Sequence, residues 1–312
     1  MELGVALPTS GPFVSREAIA QVAVEAERLG YAGLWTYERL LYPQHRVVFP
    51  GATEAAPLDE YYRRTFEPMV TLSYVAAKTE HIKLGTSIIN APFHSPLVLA
   101  RQFATLDQFS NGRVIAGLGQ GWMEEEFKAT NATRRYQGPG LNEFVAAMRA
   151  AWAENPVQFE GKCYNIAPSY IDPKPVQQGG IPIILGAMTP AALKRAGRIA
   201  DGITPGASSV EALDKTVKLF RSAAQEAGRD PSTLKIYLGV RGSITSKLPE
   251  DGRPLLSGSP DQIARDLEKI HPLNIDHIFF VQSGSSANPD PRLVDAYIER
   301  LAQLQSVVRA SH

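Results

Sequence analysis

This sequence of 312 residues has little cysteine, no excess of positive or negative charge, and no long apolar run. Its one cysteine, Cys163, excludes an internal disulfide or a cysteine-based metal cluster within one chain. The 32 basic residues equal the 32 acidic ones, so no overall field attracts nucleic acid or an anionic membrane. No stretch reaches the roughly 18 apolar residues of a membrane span, and the start lacks a signal-peptide pattern. We expect a cytoplasmic protein without nucleic-acid or membrane partners.

Metal-ligand spacing is also lacking. The six histidines show no paired ligand spacing at the ends of the early strands, and they are His45, His81, His94, His271, His277 and His312. We therefore expect no metal site, and a metal-dependent barrel hydrolase is the least favoured function.

Short apolar runs alternate with helical stripes along the whole chain, which indicates a parallel sheet. The runs are Leu3–Leu7, Ala32–Tyr37, Ile82–Ile89, Arg113–Leu118, Ile181–Leu185, Asp201–Thr204, Leu234–Ser243 and Ile278–Val281. Eight strands and about eight helices without an internal repeat predict a (β/α)8 TIM barrel, an α/β fold. An open doubly wound sheet with a second domain is the alternative, but the chain offers no boundary. We expect one domain over residues 1–312.

Three long insertions interrupt the predicted alternation of strands and helices. They follow strands 2, 4 and 7, and they span residues 39–66, 157–180 and 244–258. Long connections inside a compact domain usually serve function. We expect the first and third to set the substrate, which the sequence does not identify.

The segment from Leu84 to Trp122 predicts two parallel strands joined by a helix. Both strands end in small or amide-bearing residues, Asn90-Ala91-Pro92 and Gly117-Leu118-Gly119-Gln120-Gly121. Such residues let a flat ligand approach the backbone closely. We therefore expect the functional site at the carboxyl ends of these strands.

The sequence of this segment resembles that of the bacterial luciferase-like monooxygenase superfamily, and it reads TSIINAPFHSPLVLARQFATLDQFSNGRVIAGLGQGW. The resemblance extends from Gly4 to about Leu304 and is nearer to the branch that uses the deazaflavin coenzyme F420. It implies an F420-dependent oxidoreductase that transfers hydride between deazaflavin C5 and a small organic substrate. A monooxygenase that uses reduced FMN and oxygen is the first alternative, and a non-catalytic flavin-binding barrel is the second.

The resemblance also implies a cofactor site at three strand ends. It implies a non-prolyl cis peptide at Ser87-Ile88 that supports one face of the ring. Contacts to the ring edge are implied for Asn90, Gly119, Gln120 and Gly121. The loop after the fifth strand consists of Gly186, Ala187, Met188 and Thr189 and precedes a helix. Because a helix N-terminus favours anions, this loop can bind the cofactor phosphate.

Glu38 and His94 are the candidate catalytic residues, for proton transfer near a strand end. A surface glutamate and a surface loop histidine are the alternatives. Deazaflavin-dependent relatives carry an acidic residue and then histidine at the end of strand 2, where this chain has Arg39. Trp122 stands where sugar-phosphate dehydrogenases carry a catalytic glutamate, so oxidation of a sugar phosphate is disfavoured. FMN-using members often place arginine where this chain has Gln120, which argues against FMN.

Further contacts are expected at the surface. Lys194 and Arg195 can add charge near the phosphate loop, and the pair Arg134-Arg135 can meet the phosphate or an acidic cofactor tail. The resemblance implies a homodimer through helices at Glu67–Thr79 and Leu97–Phe109. A separate reductase for the cofactor is the other expected partner. Glu124, Glu125 and Glu126 open a helix and are explained by its dipole alone.

Overall fold

The computed structural model describes residues 1–11, 14–206, 209–242, 245–281 and 292–310. Eight parallel strands form a closed barrel in these residues. They are β1 (Glu2–Ala6), β2 (Gly33–Thr36), β3 (Lys83–Thr86), β4 (Val114–Gly119), β5 (Ile183–Ala187), β6 (Gly202–Pro205), β7 (Lys235–Val240) and β8 (His277–Phe280). Each strand pairs with the next, and β8 pairs with β1. The predicted (β/α)8 barrel is confirmed, and its closure excludes the open sheet.

Nine α-helices accompany these strands in the described part of the chain. They are α1 (Arg16–Arg28), α2 (Pro68–Ala76), α3 (Pro96–Ser110), α4 (Glu124–Ala129), α5 (Pro139–Trp152), α6 (Pro190–Ile199), α7 (Val210–Glu226), α8 (Pro260–Ile270) and α9 (Arg292–Ala310). The predicted start of the first helix is confirmed, because the Ser15 hydroxyl accepts a hydrogen bond from the Ala18 N–H. None of the described helices is long and apolar enough to span a membrane.

The third predicted strand is wrong in its length. Instead of one strand over Ile82–Ile89, β3 ends at Thr86, and a two-residue strand at Ile89–Asn90 pairs with Leu118 and Gly119 of β4. The break falls at Ser87-Ile88, which is a cis peptide, as the resemblance implies. The apolar run of the sequence therefore continues beyond the end of β3.

The three insertions lie where the sequence predicts them. The first contains a small strand pair, Val47–Val48 with Ala55–Ala56, and packs through Val47 and Leu58 against Met123 after β4. The second, residues 157–180, contains a hairpin of Val157–Glu160 with Asn165–Ser169 and leads into β5. The third follows β7, and its residues 243 and 244 lie outside the described residues, together with the predicted strand end at Ser243.

Apolar side chains fill the inside of the barrel. Trp35, Ile115, Ile184, Tyr237 and Phe279 form one buried cluster. The ring of Trp35 stacks on Phe279 with 4.7 Å between centroids, and its Nε1 donates to Nε2 of His277 at 3.0 Å. This layer closes the barrel and provides the floor on which a ligand can rest at the carboxyl ends of the strands.

Candidate active site

A cavity of about 640 Å³ opens at the carboxyl ends of the strands. Every barrel strand or the loop after it contributes to its lining, from Ala6 of β1 to Phe279 of β8. Eleven of the twelve predicted site residues line this cavity, and His94 lies just outside the lining. In barrels of this type, ligands bind at this face because the loops there can vary without disturbing the core.

Ile88 forms a raised apolar surface on the cavity wall. A side chain at Gly119 would overlap Cδ1 of Ile88, and one at Gly186 would lie 3.4 Å from its Cγ2. The two glycines thus flank Ile88 from β4 and β5 and leave its face open to the cavity. Ser87 beside it donates its backbone N–H to the Thr36 carbonyl at 2.6 Å. A flat apolar ring has a matching surface here.

Glu38 and His94 are brought together by the fold. Nε2 of His94 lies 2.6 Å from Oε1 of Glu38, and the carboxylate is 5% exposed. Its second oxygen, Oε2, accepts the backbone N–H of Asn90 at 2.9 Å and the Asn90 side-chain N–H at 3.1 Å. A buried carboxylate in contact with a histidine can hold a proton or relay it to a bound molecule. Because the Asn90 NH2 group donates to Glu38, its oxygen is the part that remains for a ligand.

Arg39, the residue after Glu38, is held in a buried ion pair. Its Nη1 lies 2.8 Å from Oε2 of Glu126, and Oε1 of Glu126 accepts the Leu40 N–H at 2.9 Å. The guanidinium also lies over the rings of Tyr62 and Trp122, 5.5 and 5.3 Å from their centroids. These contacts fix the first insertion over the cavity.

Glu126 lies in the first turn of α4, as the sequence predicts, but it also forms a buried ion pair that the helix dipole does not explain. It is fully buried, and this burial raises the pKa of its carboxyl group, although Arg39 acts in the opposite direction. Glu125 beside it pairs with His45 at 2.7 Å on an exposed surface, and Glu124 pairs with Arg134. Glu126 follows the buried Met123 by three positions and so lies on the same side of the helix, but this spacing does not identify Arg39 as its partner.

The loop predicted to bind a phosphate, residues 186–189, leads directly into α6. Thr189 caps α6, because its hydroxyl accepts the Ala192 N–H at 3.2 Å, and Pro190 has no N–H group. Arg195 lies on the next turn, half-buried, with its Nη2 3.5 Å from the position of a side chain at Gly138. Burial lowers the pKa of Arg195, and no carboxylate of the described residues pairs with it. Arg195 therefore complements this loop as a cation.

Gln120 joins two parts of the rim. Its Oε1 accepts the Gly138 N–H at 2.5 Å, and Nε2 of Gln137 donates to the carbonyls of Gln120 and Gly121 at 2.9 and 3.1 Å. The loop after β4 is thus held against the start of α5. Arg134 and Arg135 do not line the cavity, since Arg134 pairs with Glu124 and Arg135 lies over the Tyr136 ring.

The fold and the site together define the class. A (β/α)8 barrel with a ligand cavity, an apolar support and a buried carboxylate–histidine pair is typical of enzymes that act on small molecules. Residues 1–248 match the model of the luciferase-like monooxygenase family, and the chain belongs to that family. Its members include oxidoreductases that use coenzyme F420 and monooxygenases that use FMN.

Relatives of both cofactor types occur at modest identity. An uncharacterized protein of Mycobacterium tuberculosis is 32% identical over 97% of this chain and 98% of its own length. The F420-dependent glucose-6-phosphate dehydrogenase of Nocardia farcinica is 35% identical over 54% of this chain and 52% of its own. The FMNH2-dependent dimethylsulfone monooxygenase of Pseudomonas putida is 29% identical over 60% and 52%.

Among solved structures, the coenzyme F420-dependent tetrahydromethanopterin reductase of Methanopyrus kandleri matches with a TM-score of 0.75 and 21% identity. The match covers 97% of both chains. At this identity the likeness supports the barrel fold and not a particular activity.

Proposed function

We propose that this protein is a coenzyme F420-dependent oxidoreductase that transfers hydride between deazaflavin C5 and a small organic substrate. The observation that carries the proposal is the arrangement of the cavity, with the Ile88 surface on one wall and the Glu38–His94 pair at its edge. A flat cofactor supported by Ile88 keeps one face open for a second molecule.

The residues present fit a deazaflavin. The Thr36 hydroxyl is buried, lines the cavity and has no hydrogen-bond partner among the described residues, so a bound molecule can satisfy it. Ile88, between Gly119 and Gly186, would support the ring, and Thr189 with Arg195 would hold the phosphate through the helix terminus and the guanidinium. When bound, the deazaflavin supplies a hydride donor or acceptor at its C5 atom.

The chain contributes orientation, a proton and the exclusion of water. Glu38 is held by Asn90 and can accept or return a proton through its hydrogen bond to His94. Trp122 and Tyr62 enclose Arg39 on the cavity wall and replace water there with aromatic surface. Bringing two reactants together in one orientation then provides a large part of the rate enhancement.

An FMN-dependent monooxygenase on the same barrel is the second candidate. The relative from Pseudomonas putida supports it by its printed activity, at 29% identity. Against it, Gln120 occupies the position where FMN-using members often have arginine, and its side-chain oxygen is engaged by Gly138. A flavin-binding barrel without catalysis is the third candidate, and the Glu38–His94 pair argues against it.

Fluorescence titration of the purified cofactor-free protein with coenzyme F420 tests the proposed site. Gly186→Asp places a carboxylate beside the phosphate loop, so we expect affinity for F420 to fall by at least about tenfold. Gly186→Ala is the matched control, because the added methyl group meets Ile88 at an ordinary contact distance of 3.4 Å. Equal affinity of both variants would show that the phosphate binds elsewhere.

Two partners belong to the proposal. A reductase or dehydrogenase that recycles F420 is required by the cofactor chemistry. A second copy of the chain fits the groove of about 460 Å³ between α2 and α3, which is lined by Met69, Val70, Leu97 and Val98. Val70 and Val98 are 71% and 57% exposed there, which supports a homodimer through these helices.

A further inference from the structure

One charged side chain of the cavity lining has no counter-charge. The charged residues of the lining are Glu38, Arg39 and Arg241. Glu38 is in contact with His94, and Arg39 is paired with Glu126. Arg241, after β7, forms no ion pair with any carboxylate of the described residues, and its Nη2 donates to the Tyr62 hydroxyl at 3.1 Å. Arg241 is therefore the charged side chain of the lining that no ionic or histidine partner among the described residues engages.

Arg241 covers a part of the cavity that the phosphate loop does not occupy. It follows β7, whereas Tyr62 belongs to the insertion after β2, and β8 and β1 lie between these strands in the barrel. The guanidinium thus extends over the sector from β8 to β2. Gly186 lies at the end of β5 and Thr189 follows it, two strands away from β7 in the other direction. The cavity has two separate places for negative charge.

The surroundings of Arg241 suit a molecule with an apolar body. Four apolar side chains line the same cavity. They are Phe279 of β8, Val281 just after β8, Pro50 of the first insertion and Trp122 after β4. Tyr62 is fixed by an edge contact with Tyr37, 5.9 Å between ring centroids, so it holds Arg241 in place at the rim. An anion that replaces water at this guanidinium gains a charge-assisted hydrogen bond.

Building on the proposed F420-dependent function, we propose that the substrate is a small carboxylic acid with an apolar body, whose carboxylate is bound by Arg241 and the Tyr62 hydroxyl. The planar guanidinium matches a carboxylate with two parallel N–H groups. A phosphate monoester carries nearly two charges and three acceptor oxygens, which this single free cation does not balance. Arg241 is then the residue that selects the substrate class, while the phosphate loop binds the cofactor.

Titration of the cofactor-free protein with 3-phenylpropionate, its methyl ester and 2-phenylethyl phosphate tests this assignment, with tryptophan fluorescence as the readout because Trp122 lines the cavity. We expect the acid to bind at least about tenfold more tightly than the ester, since hydrogen bonds to charged groups are among the strong ones. Arg241→Met should remove this preference, and Arg241→Lys should keep part of it. Affinity for F420, measured separately, should change less than about twofold in both variants.

Arg63→Met is the matched control. Arg63 is exposed in the same insertion, pairs with Glu60 at 3.6 Å and does not line the cavity, so its loss removes the same charge without touching the site. Equal binding of acid and ester to the wild type, tighter binding of the phosphate that Arg241→Met weakens, or an unchanged preference in Arg241→Met would overturn the proposal. So would a loss of F420 affinity in Arg241→Met. Failure of the wild type to bind F420 contradicts the proposed function instead, and leaves the acid and ester titrations readable.

Discussion

Glu38 is 5% exposed, and both of its carboxylate oxygens are hydrogen-bonded. The partners are Asn90 and His94, which lie 52 and 56 positions further along the chain. The sequence predicts that Glu38, Asn90 and His94 lie at strand ends, because parallel strands deliver their carboxyl ends to one face. It does not predict that they touch. That contact depends on the two-residue strand Ile89–Asn90 and the turn after it, which have no pattern of their own.

Substitution of Glu38 by Gln tests its role in catalysis. The amide cannot accept at both positions, so proton transfer should be lost and turnover should fall by about 100-fold or more, as measured by oxidation of reduced F420 with the best acceptor of a carbonyl and imine panel. Affinity for F420 should stay within a few-fold of the wild type.

Glu125→Gln is the control for that variant, because Glu125 also pairs with a histidine at 2.7 Å but on an exposed surface. It should retain full turnover. If Glu38→Gln turns over as fast as Glu125→Gln, Glu38 handles no proton in the reaction.

The insertion after β2 and helix α4 after β4 are held together by a buried ion pair. Arg39 and Glu126 connect them through a pair whose side chains are 10% and 1% exposed. Removing one member of a buried pair leaves the other charge without a partner, which costs about 3–5 kcal/mol. The sequence could not predict the pair, since an acidic residue in the first turn of a helix is explained equally well by the helix dipole.

Glu126→Ala should therefore lower the free energy of unfolding by about 3 kcal/mol in urea denaturation. Glu124→Ala, at an exposed position of the same turn, should change it by less than about 1 kcal/mol. A double variant, Arg39→Met with Glu126→Leu, should recover part of the loss, because an apolar pair needs no counter-charge. Equal stability of the two alanine variants would refute the role of the pair.

The end of β4 meets Ile88 too closely for any side chain at Gly119. Gly119→Ala should displace Ile88 and weaken F420 binding at least about tenfold, with the far-ultraviolet circular dichroism unchanged. Gly186→Ala, on the other side of Ile88, should bind as the wild type does. An unaffected Gly119→Ala variant would show that Ile88 does not support the ring.

The closed barrel of the whole molecule was predictable because eight short apolar runs alternate with helical stripes, whereas the individual strand ends were not. Strand limits differ by one to three residues from those that the apolar runs indicate, as at β8, predicted as Ile278–Val281 and found as His277–Phe280. The reason is that pairing with β1 and β7, and not local propensity, decides where β8 stops. His277, which precedes the predicted strand, lies buried in the barrel as a result.

His277 makes the stability of the barrel depend on pH. Burial lowers its pKa, and a hydrogen bond from His277 lowers the pKa of Glu2 to about 2, while Lys83 and Asp276 are the other charged groups nearby. As the pH falls, His277 and Glu2 bind protons in the unfolded chain before they do so in the folded one. Stability therefore falls below about pH 6.5 because of His277, and further below about pH 4.5 because of Glu2.

His277→Gln should flatten this dependence between pH 7 and pH 5 by about 1 kcal/mol per pH unit, measured by urea denaturation. Glutamine is uncharged throughout this range and retains a hydrogen-bonding group for Trp35. A slope equal to that of the wild type would show that His277 takes up no proton on unfolding.

Assembly is the largest scale at which the account can fail. Light scattering of the wild type at micromolar concentration should give about twice the chain mass of 34.0 kDa. Val70→Glu combined with Val98→Glu should give a monomer, because two charges would be buried in the interface. Val24→Glu, 43% exposed on α1, is the control and should remain a dimer. A monomeric wild type would contradict the proposed interface.

Parallel titrations of the cofactor-free wild type with coenzyme F420 and with FMN test the central claim most directly. The arrangement of Ile88, Gln120 and the phosphate loop predicts that F420 binds at least about tenfold more tightly than FMN. Tighter binding of FMN would contradict the account and move the protein to the monooxygenases of its family. Binding of neither would contradict both cofactor assignments.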